Sequence, residues 1–420
     1  MTNRGPTSAL THGVSNKMAR SLNGLGFALV TALVLSGCTV TTDGSRADGS
    51  SGTDGGADLP GDDPQSGNPK SGELSFSPAN VPADAALAAT GDWIFNTDTC
   101  GSTKVTIDTA KGTVSCAGQP KGAFTFKAIA QVDTSQGTLT AGLFVTRRLV
   151  IEPSMVVDVV GNRPLVIVAL ETATIQGALR ASAIDYQSNG GGFDGVREVA
   201  RGNGPGGGQG AVARVGAGGG GHCGVGGGEA AGGKAYGRPT NSPLVGGSAG
   251  GGSRFASSGA GGGAVQIVAG TSMEVSATGS IAVSGAGSSW LSGGGGAGGA
   301  ILLEGPLVSV FGVLAANGGG GSETGSSNDG ADGSASADPA KGGPGNCSIC
   351  GSGGDGAAGA TIAGQTGTQI DAAQGQGGGG GGAGWIRLNT KSGSATIGAT
   401  AVISPALSTP CATQGTPAAR

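Results

Sequence analysis

Apolar and small residues alternate along this chain, and the same pattern returns several times after glycine tracts. Each copy has a triplet of mostly apolar residues, followed by alternating small apolar side chains and one glycine. The triplets are Leu165-Val166-Ile167, Val265-Gln266-Ile267 and Ile301-Leu302-Leu303. A period of two is typical of β-strands that bury one face, and a glycine within it marks a bend that side chains would obstruct.

The repeated unit predicts an all-β fold, a parallel β-helix (β-solenoid) over residues 151–404. A bend glycine recurs in the copies, at Gly177, Gly279 and Gly312. A fourth, degraded copy begins at Trp385. Long glycine-rich insertions separate the copies, chiefly at 189–262 and 318–384, and such insertions usually emerge on one face. The pattern leaves open whether they stay mobile or pack as polyglycine helices.

The two ends of the predicted solenoid differ from its repeats. Short β-prone runs separated by turn residues fill 86–150. They predict a small N-terminal β cap, because an uncapped solenoid would expose unpaired strand edges. Residues 405–420 are predicted to form a C-terminal tail.

The N-terminus has the pattern of a bacterial export signal. Lys17 and Arg20 precede an apolar run at 24–35 that is too short to span a bilayer. The run ends in Leu35-Ser36-Gly37-Cys38, which resembles a lipobox. This resemblance implies a lipoprotein signal peptide at 1–37 and acylation of Cys38. An ordinary secretory signal with an incidental cysteine is the alternative, and Met18 is a second candidate for the start of translation.

Residues 38–85 are predicted to be a disordered tether rich in Gly, Ser, Asp and Pro. Their low hydrophobicity and one-sided charge do not repay the entropy of folding. Thr39 follows the cysteine where some inner-membrane lipoproteins have an acidic residue, so the sequence favours the outer membrane. Several acyl chains on one residue give stable anchoring, and the membrane is therefore an expected partner.

Composition narrows the classes of function. The chain has 420 residues, of which 93 are glycine and 12% are charged, and its formal net charge is −4. Collagen is excluded because there is no strict Gly-X-Y period. An acidic chain without a basic cluster argues against nucleic acid as a partner. Phosphate-binding glycine motifs arise by chance at this glycine content, so no cofactor is predicted.

Six cysteines remain after Cys38, and an even number in an exported protein predicts three disulfides. Cys100 and Cys116 flank a short hairpin-like stretch and favour a pair. Cys347 and Cys350 favour a structural bridge over a redox pair, because their surroundings do not resemble a thioredoxin βαβ unit. Although six cysteines allow fifteen pairings, this leaves one further pair, Cys223 with Cys411.

His222 and two acidic turns are the remaining candidates for chemistry. His222 lies beside Cys223 and suggests a dyad, but neighbours on an extended chain point to opposite faces. A disulfide next to an incidental histidine is favoured. Oxygen-rich turns at 327–333 and 353–356 look like calcium loops without the spacing of calcium-binding repeats. Polar turns are favoured there, and no metal site is predicted.

Aromatic residues in or beside the insertions are candidate ligand contacts, namely Tyr186, Phe193, Tyr236, Phe255, Trp290 and Trp385. Exposed rings could stack on sugars, whereas buried rings fasten a loop to its scaffold, and the second role is favoured. Trp290 and Trp385 are the candidate carbohydrate contacts.

Three segments are similar to a known group of proteins: 163–169 (RPLVIVA), 298–304 (GGAILLE) and 384–390 (GWIRLNT). They resemble glycine-rich surface lipoproteins of myxobacteria and their relatives. The resemblance covers 141–390 and implies a parallel β-helix. That group has no established activity, so the resemblance implies no catalytic residue.

The sequence therefore predicts a noncatalytic lipoprotein of the bacterial outer membrane, with a structural or adhesive role, that presents glycine-rich loops at the cell surface. One alternative is a module that binds extracellular polysaccharide, which together with other cell-surface components is the expected partner. Another is a polysaccharide-active β-helix enzyme with clustered carboxylates. The glutamates of the repeats, Glu171, Glu274 and Glu304, do not occupy equivalent positions in the copies.

Overall fold

A computed structural model describes residues 74–85, 87–89, 91–120, 123–133, 137–228, 231–254, 256–325, 328–370 and 375–420. The predicted signal peptide, Cys38, Phe255 and most of the predicted tether lie outside these residues. The described chain is nearly all β, with one short helix, α1 (Thr97–Cys100), and strands that run mostly parallel.

The strands follow one another in this order: β1 (Phe76–Ser77), β2 (Trp93–Phe95), β3 (Lys104–Asp108), β4 (Thr113–Cys116), β5 (Gln119–Pro120), β6 (Thr125–Asp133), β7 (Gly137–Thr146), β8 (Leu149–Ile151), β9 (Val156–Val160), β10 (Leu165–Ala169), β11 (Thr172–Ile175), β12 (Ala178–Arg180), β13 (Ala264–Ala269), β14 (Ser272–Val275), β15 (Ser280–Ala282), β16 (Ala300–Gly305), β17 (Leu307–Val310), β18 (Val313–Ala315), β19 (Trp385–Thr390), β20 (Thr396–Ile397), β21 (Val402–Ser404), β22 (Ala412–Gly415) and β23 (Ala418–Ala419).

Three sheets contain all of these strands except β1 and β23. Sheet I has the order β6-β7-β10-β13-β16-β19-β22, sheet II has the order β2-β8-β11-β14-β17-β20, and sheet III has the order β5-β4-β3-β9-β12-β15-β18-β21. From β7 to β22, successive strands enter sheets I, II and III in strict rotation. Neighbouring strands in this part of each sheet are parallel, and none of the sheets closes on itself.

The predicted copies pair with one another in register. In sheet I, Leu165 lies opposite Val265, which lies opposite Ile301, which in turn lies opposite Ile386. The sequence repeat thus becomes a spatial repeat, and the strands predicted from the period-two pattern are confirmed. The fourth copy continues the same three sheets as β19, β20 and β21.

Inward side chains of the three sheets form stacked rows that make up the main core. The row of sheet I contains Phe144, Ile167, Ile267, Leu303 and Leu388. The row of sheet II contains Ile151, Ile175, Val275, Val310 and Ile397. Each fully buried side chain of this size contributes about 1.5–3 kcal/mol, so the parallel strands are held by aliphatic stacking as well as by hydrogen bonds.

The bend glycines lie between the strands of sheets II and III, where neighbouring turns of the chain approach closely. A Cβ atom on Gly279 would overlap the carbonyl oxygen of Ile175, and one on Gly312 would overlap the carbonyl oxygen of Gly279. The bend predicted from these glycines is therefore present, and it requires glycine because backbone fills the space of a side chain.

The region 86–150 covers the first edges of the sheets. Strands β2 and β3 pair in parallel with β8 and β9. The antiparallel strands β4 and β6 then lie along β3 and β7. Trp93, Phe95 and Phe144 are buried there, with centroids 5.0 and 5.6 Å from the Trp93 ring to the two phenyl rings.

The structure differs from the sequence-based expectation at both ends of the described chain. The predicted tether 38–85 is ordered at 74–85, where Leu74 and Phe76 pack on the outer face of sheet I. The predicted tail 405–420 contains β22, which extends sheet I, and β23, which pairs antiparallel with β1. The physical reason is the same at both ends, because a few apolar side chains and a strand partner far away in sequence offset the entropy of ordering.

The three glycine-rich insertions occupy equivalent connections in the fold. Each connects a strand of sheet III to the next strand of sheet I. They occupy 181–263, 283–299 and 316–384. Because the parallel strands are stacked, these segments emerge side by side and can pack against one another.

Candidate functional site: the glycine bundle and its tip

The described glycine segments form an ordered bundle in which hydrogen-bond partners change with a period of three residues. In the segment 377–384, successive N–H groups donate in turn to three neighbouring segments, 362–368, 316–322 and 217–220. Its carbonyl groups accept from three others, 354–357, 295–298 and 224–227. The N···O distances of these bonds lie between 2.8 and 3.1 Å. Three residues per turn is the geometry of polyproline II helices. Such a helix points its N–H and C=O groups outwards in several directions, and the six neighbouring segments provide hydrogen-bonding partners for them.

Glycine is required inside this bundle because the helices touch through their backbones. A Cβ atom on Gly380 would overlap the carbonyl oxygen of Asp355, and one on Gly379 would overlap that of Gly227. The same holds for most glycines of the bundle. Of the two behaviours that the sequence left open, packing as polyglycine helices is what the structure shows for the described segments.

An aromatic cluster lies at the root of the bundle, where it joins sheet I. The rings of His222 and Tyr236 have centroids 4.7 Å apart, and Trp385 donates its indole N–H to the Tyr236 carbonyl at 2.9 Å. The Tyr236 hydroxyl donates to the Gly246 carbonyl and accepts from the Ser248 hydroxyl. Burial raises the pKa of Tyr236. These contacts fasten three segments of the bundle to the sheet.

His222 is a buried structural residue. Burial lowers its pKa to about 4, despite hydrogen bonds to the Gly298 and Gly299 carbonyls. Its Nδ1 atom lies 2.9 Å from the Gly298 oxygen, so a neutral ring with the proton on Nδ1 fits this site. Cys223 beside it is paired with Cys411, which agrees with a disulfide next to a histidine and not with a catalytic dyad.

The six described cysteines are joined in the pairs that the sequence favoured. Cys100 pairs with Cys116 in the first turns of the fold, and Cys347 pairs with Cys350 within one turn of the bundle. The pair of Cys223 and Cys411 links the bundle to the segment that precedes β22.

The far end of the bundle, here called the tip, consists of the turns 212–215, 253–254, 290–292, 347–350, 369–370 and 375–376. Hydrogen bonds join several of these turns: Gln376 donates its backbone N–H to the Arg214 carbonyl, and the Ser253 hydroxyl donates to the Leu291 carbonyl. The tip carries several exposed large apolar side chains, namely Val212, Val215, Trp290, Ile349 and Ile370. A recess of about 290 Å³ lies among Val199, Val215 and Leu291, with Arg214 and Arg254 also on its wall.

Trp290 stands out among the tip residues, because its large ring is exposed to solvent while its backbone is fixed by hydrogen bonds. Its side chain is 54% exposed and its φ is +63°, a region that bulky residues rarely adopt. The Asp329 carboxylate accepts its N–H at 2.7 Å, and the Ser322 hydroxyl donates to its carbonyl oxygen. Backbone strain of this kind is found at ligand-binding positions.

Trp385 does not fit the predicted role of carbohydrate contact. It is only 8% exposed and packs with Leu244 and Leu302 on the outer face of sheet I. Its indole N–H is already bonded to Tyr236. The two tryptophans both lie next to glycine-rich segments, but only Trp290 presents its ring to solvent.

The acidic turns use their carboxylates to bind backbone within the bundle. Asp332 accepts the Gly287 N–H at 2.8 Å, and Asp355 accepts the Gly342 N–H at 2.9 Å and pairs with Lys341. Burial raises the pKa of Asp332. Ser327 of the first turn lies outside the described residues. Within the part of the chain that the structure describes, no group of three or more His, Cys, Asp or Glu side chains could hold a metal ion.

A buried polar network, which the sequence analysis did not find, clamps residues 74–85 to sheet I. The Oε2 atom of Glu304 accepts the Ala79 N–H at 3.0 Å and the Gln266 side-chain amide at 2.6 Å. Its Oε1 atom accepts from Asn389 at 2.9 Å. Burial raises the pKa of Glu304 to about 7, against these three hydrogen bonds and the nearby charge of Arg387. The signal in the sequence was a lone glutamate in an otherwise apolar strand, β16.

No described helix has the length and apolar character needed to cross a membrane. No protein-family model, curated protein or solved structure matches this chain.

Proposed function

We propose that this chain is a noncatalytic, lipid-anchored surface protein of the bacterial outer membrane with an adhesive or structural role. In this proposal the three rotating sheets form a parallel β-solenoid, which serves as a rigid stalk. Strict rotation of the strands and the in-register rows of Leu, Ile and Val support that architecture. The glycine bundle is the part presented to the surroundings.

The observation that carries the proposal is the exposed apolar tip on an ordered bundle. Single exposed apolar residues are common on proteins, but clusters on one surface mark interaction sites. The bundle beneath the tip is held by backbone hydrogen bonds, so the turns are fixed before a partner binds. Fixing them in advance reduces the ordering entropy that adhesion would otherwise cost.

A polysaccharide-binding role is the second candidate, and the geometry of Trp290 favours it. An exposed indole on a fixed backbone offers a flat apolar face, which can pack against the ring of a sugar. Both candidates require display at the cell surface, so they share the first part of the test.

The test uses cells that make the wild-type chain or one of three variants. Cys38→Ala should release the protein from the membrane fraction and remove it from protease attack on intact cells. Trp290→Ser should leave display intact and reduce attachment of cells to their own extracellular polysaccharide. Leu307→Ser is the matched control, because Leu307 is a large apolar residue at least as exposed as Trp290 but lies on sheet II. Retention of the Cys38 variant in the membrane, or equal attachment with Trp290→Ser and Leu307→Ser, would contradict the proposal.

A further inference from the structure

A second recess, here called the root groove, lies where the glycine bundle leaves the sheets. It has a volume of about 440 Å³, which falls within the range of about 300–1,000 Å³ for small-molecule sites. Three parts of the chain line it: Leu139 and Thr140 of β7, Asn162 in the β9–β10 turn, and 191–194 with 203–204 of the bundle. It shares no lining residue with the recess at the tip.

A half-buried aromatic ring forms one wall of the root groove. The backbone of Phe193 is held on both sides, because its N–H donates to the Gly247 carbonyl and its own carbonyl accepts from Gly261. Gly204, with a φ of +93°, lies against the ring, and a Cβ there would come within 2.7 Å of it. The backbone hydrogen bonds of Phe193 and the close approach of Gly204 therefore position the ring. Leu244, fully buried, lies behind this wall of the groove.

The polar groups around this ring have unused hydrogen-bonding capacity. Within the described chain, the side chains of Thr140 and Asn162 have no hydrogen-bonding partner, and both residues are exposed. Asp194 uses one oxygen for the Ser188 N–H and hydroxyl, at 2.8 and 2.7 Å, which leaves the other oxygen for a ligand. Asn203 donates its amide to the Asp194 carbonyl at 2.7 Å, and its own side-chain oxygen stays available.

The charge of the root groove favours neutral ligands over anionic ones. The ligands considered combine a flat apolar face with hydroxyl groups. Asp194 is its acidic residue, and the residues that line it include no lysine or arginine among those described. An anionic ligand would meet an unpaired carboxylate and no cation, which is unfavourable. A neutral sugar has hydroxyls that both donate and accept, and its ring has an apolar face that suits Phe193.

From this arrangement we propose that the root groove binds a neutral oligosaccharide chain. Phe193 packs against a sugar ring, while Asn162, Asp194 and Thr140 bind its hydroxyls. This inference rests on the proposed adhesive function and adds to it a ligand class and a second site, separate from the tip.

The test measures binding of defined sugars to the purified chain without its lipid by titration calorimetry. The probes are the neutral hexasaccharides of maltose, cellulose, xylan and chitin type, and hexagalacturonate is the acidic comparison. We expect at least one neutral probe to bind with a Kd between about 1 μM and 1 mM. Asn162→Ala and Phe193→Leu should each weaken that binding by about tenfold or more. Leu307→Ser should leave it unchanged, because Leu307 lies on sheet II and lines neither recess.

Asp194→Asn gives a further variant that keeps the acceptor for Ser188, in case Phe193→Leu does not fold. The proposal is overturned if no neutral probe binds, if hexagalacturonate binds at least as tightly, or if Asn162→Ala and Asp194→Asn both bind like wild type. These outcomes are distinct from failure of the proposed function, which is read from the Cys38→Ala and Trp290→Ser cells and needs none of the defined sugars.

Discussion

The α-carbon of Gly381 faces the carbonyl oxygen of Gly296 so closely that a methyl group on Gly381 would overlap it. The two residues belong to adjacent helices of the glycine bundle, and Gly381 also donates its N–H to Gly319 at 2.8 Å. Contact through backbone leaves no flexible side chain that could move aside.

Gly381→Ala should therefore lower the free energy of unfolding by about 1–3 kcal/mol or more, as overpacking does in a dense interior. Gly375→Ala is the control, because among the described residues a Cβ there would meet only the Thr324 side chain, at 3.4 Å. Urea unfolding of both variants checks this. Equal stability of the two would show that the bundle is not closely packed in solution.

His222 makes the stability depend on pH in the acidic range. Its folded pKa is about 4, whereas an unfolded histidine titrates near 6.5. Between these values the unfolded chain binds one more proton, so stability should fall as the pH is lowered from 6.5 to 4, by up to about 3 kcal/mol. His222→Phe should keep the ring contact with Tyr236 and remove this slope. The measurement is the urea midpoint at several pH values, and an unchanged slope in the variant would contradict the assignment.

Glu304 should act in the opposite direction. Its folded pKa is about 7, against 4.5 for the unfolded residue, so the folded state holds the extra proton between these values. Stability should therefore fall as the pH rises from 4.5 to 7, and Glu304→Gln should remove this contribution. Hydrogen exchange of the Ala79 amide, which donates to Glu304, reports on the same site. If exchange at Ala79 has the same pH dependence in wild type and variant after correction for intrinsic rates, the carboxyl is not the group responsible.

Between pH 4.5 and 6.5 the contributions of His222 and Glu304 have opposite signs, so they partly cancel in the wild-type profile. A flat wild-type curve is therefore compatible with two strongly shifted groups. The single variants separate them, since each should uncover the slope of the other.

The disulfide between Cys223 and Cys411 closes a much longer loop than the one between Cys347 and Cys350, with sequence separations of 188 and 3. Replacing both residues of the first pair by serine should cost about 2–4 kcal/mol, because the loss of a long cross-link frees more of the unfolded chain. The same replacement of the second pair should cost clearly less. Thermal unfolding of the two double variants decides this, and a larger loss for the short loop would contradict it.

The strands could be predicted because their side chains carry the information. Ile175 and Val275 alternate with polar residues, and a buried face needs that period wherever the strand lies. The bundle could not be predicted in the same way, because glycine has no side chain whose polarity would indicate which side of a segment is buried. Nothing in the sequence near Gly380 indicates that Gln365 and Gly227 are its partners, and only the three-dimensional arrangement of the sheets brings them together.

The candidate site shows the same limit. Trp290 and Trp385 have similar glycine-rich neighbourhoods, yet one is exposed and the other is buried, because Trp385 begins a strand of sheet I. Leu74 and Phe76 looked like part of a polar tether, since β23, the partner of their strand, lies more than three hundred residues away. The root groove likewise combines three parts of the chain that no local pattern connects.

The three-residue period of the hydrogen-bond partners also limits how the helices of the bundle can change in length. Adding three residues to one helix extends it by a full turn of about 9 Å and returns every donor to its former neighbour. Adding one or two residues rotates all later N–H groups towards the wrong partner. Insertions and deletions within these segments should therefore be tolerated in triplets, so that the reach of the turns can be adjusted stepwise while the interior stays the same.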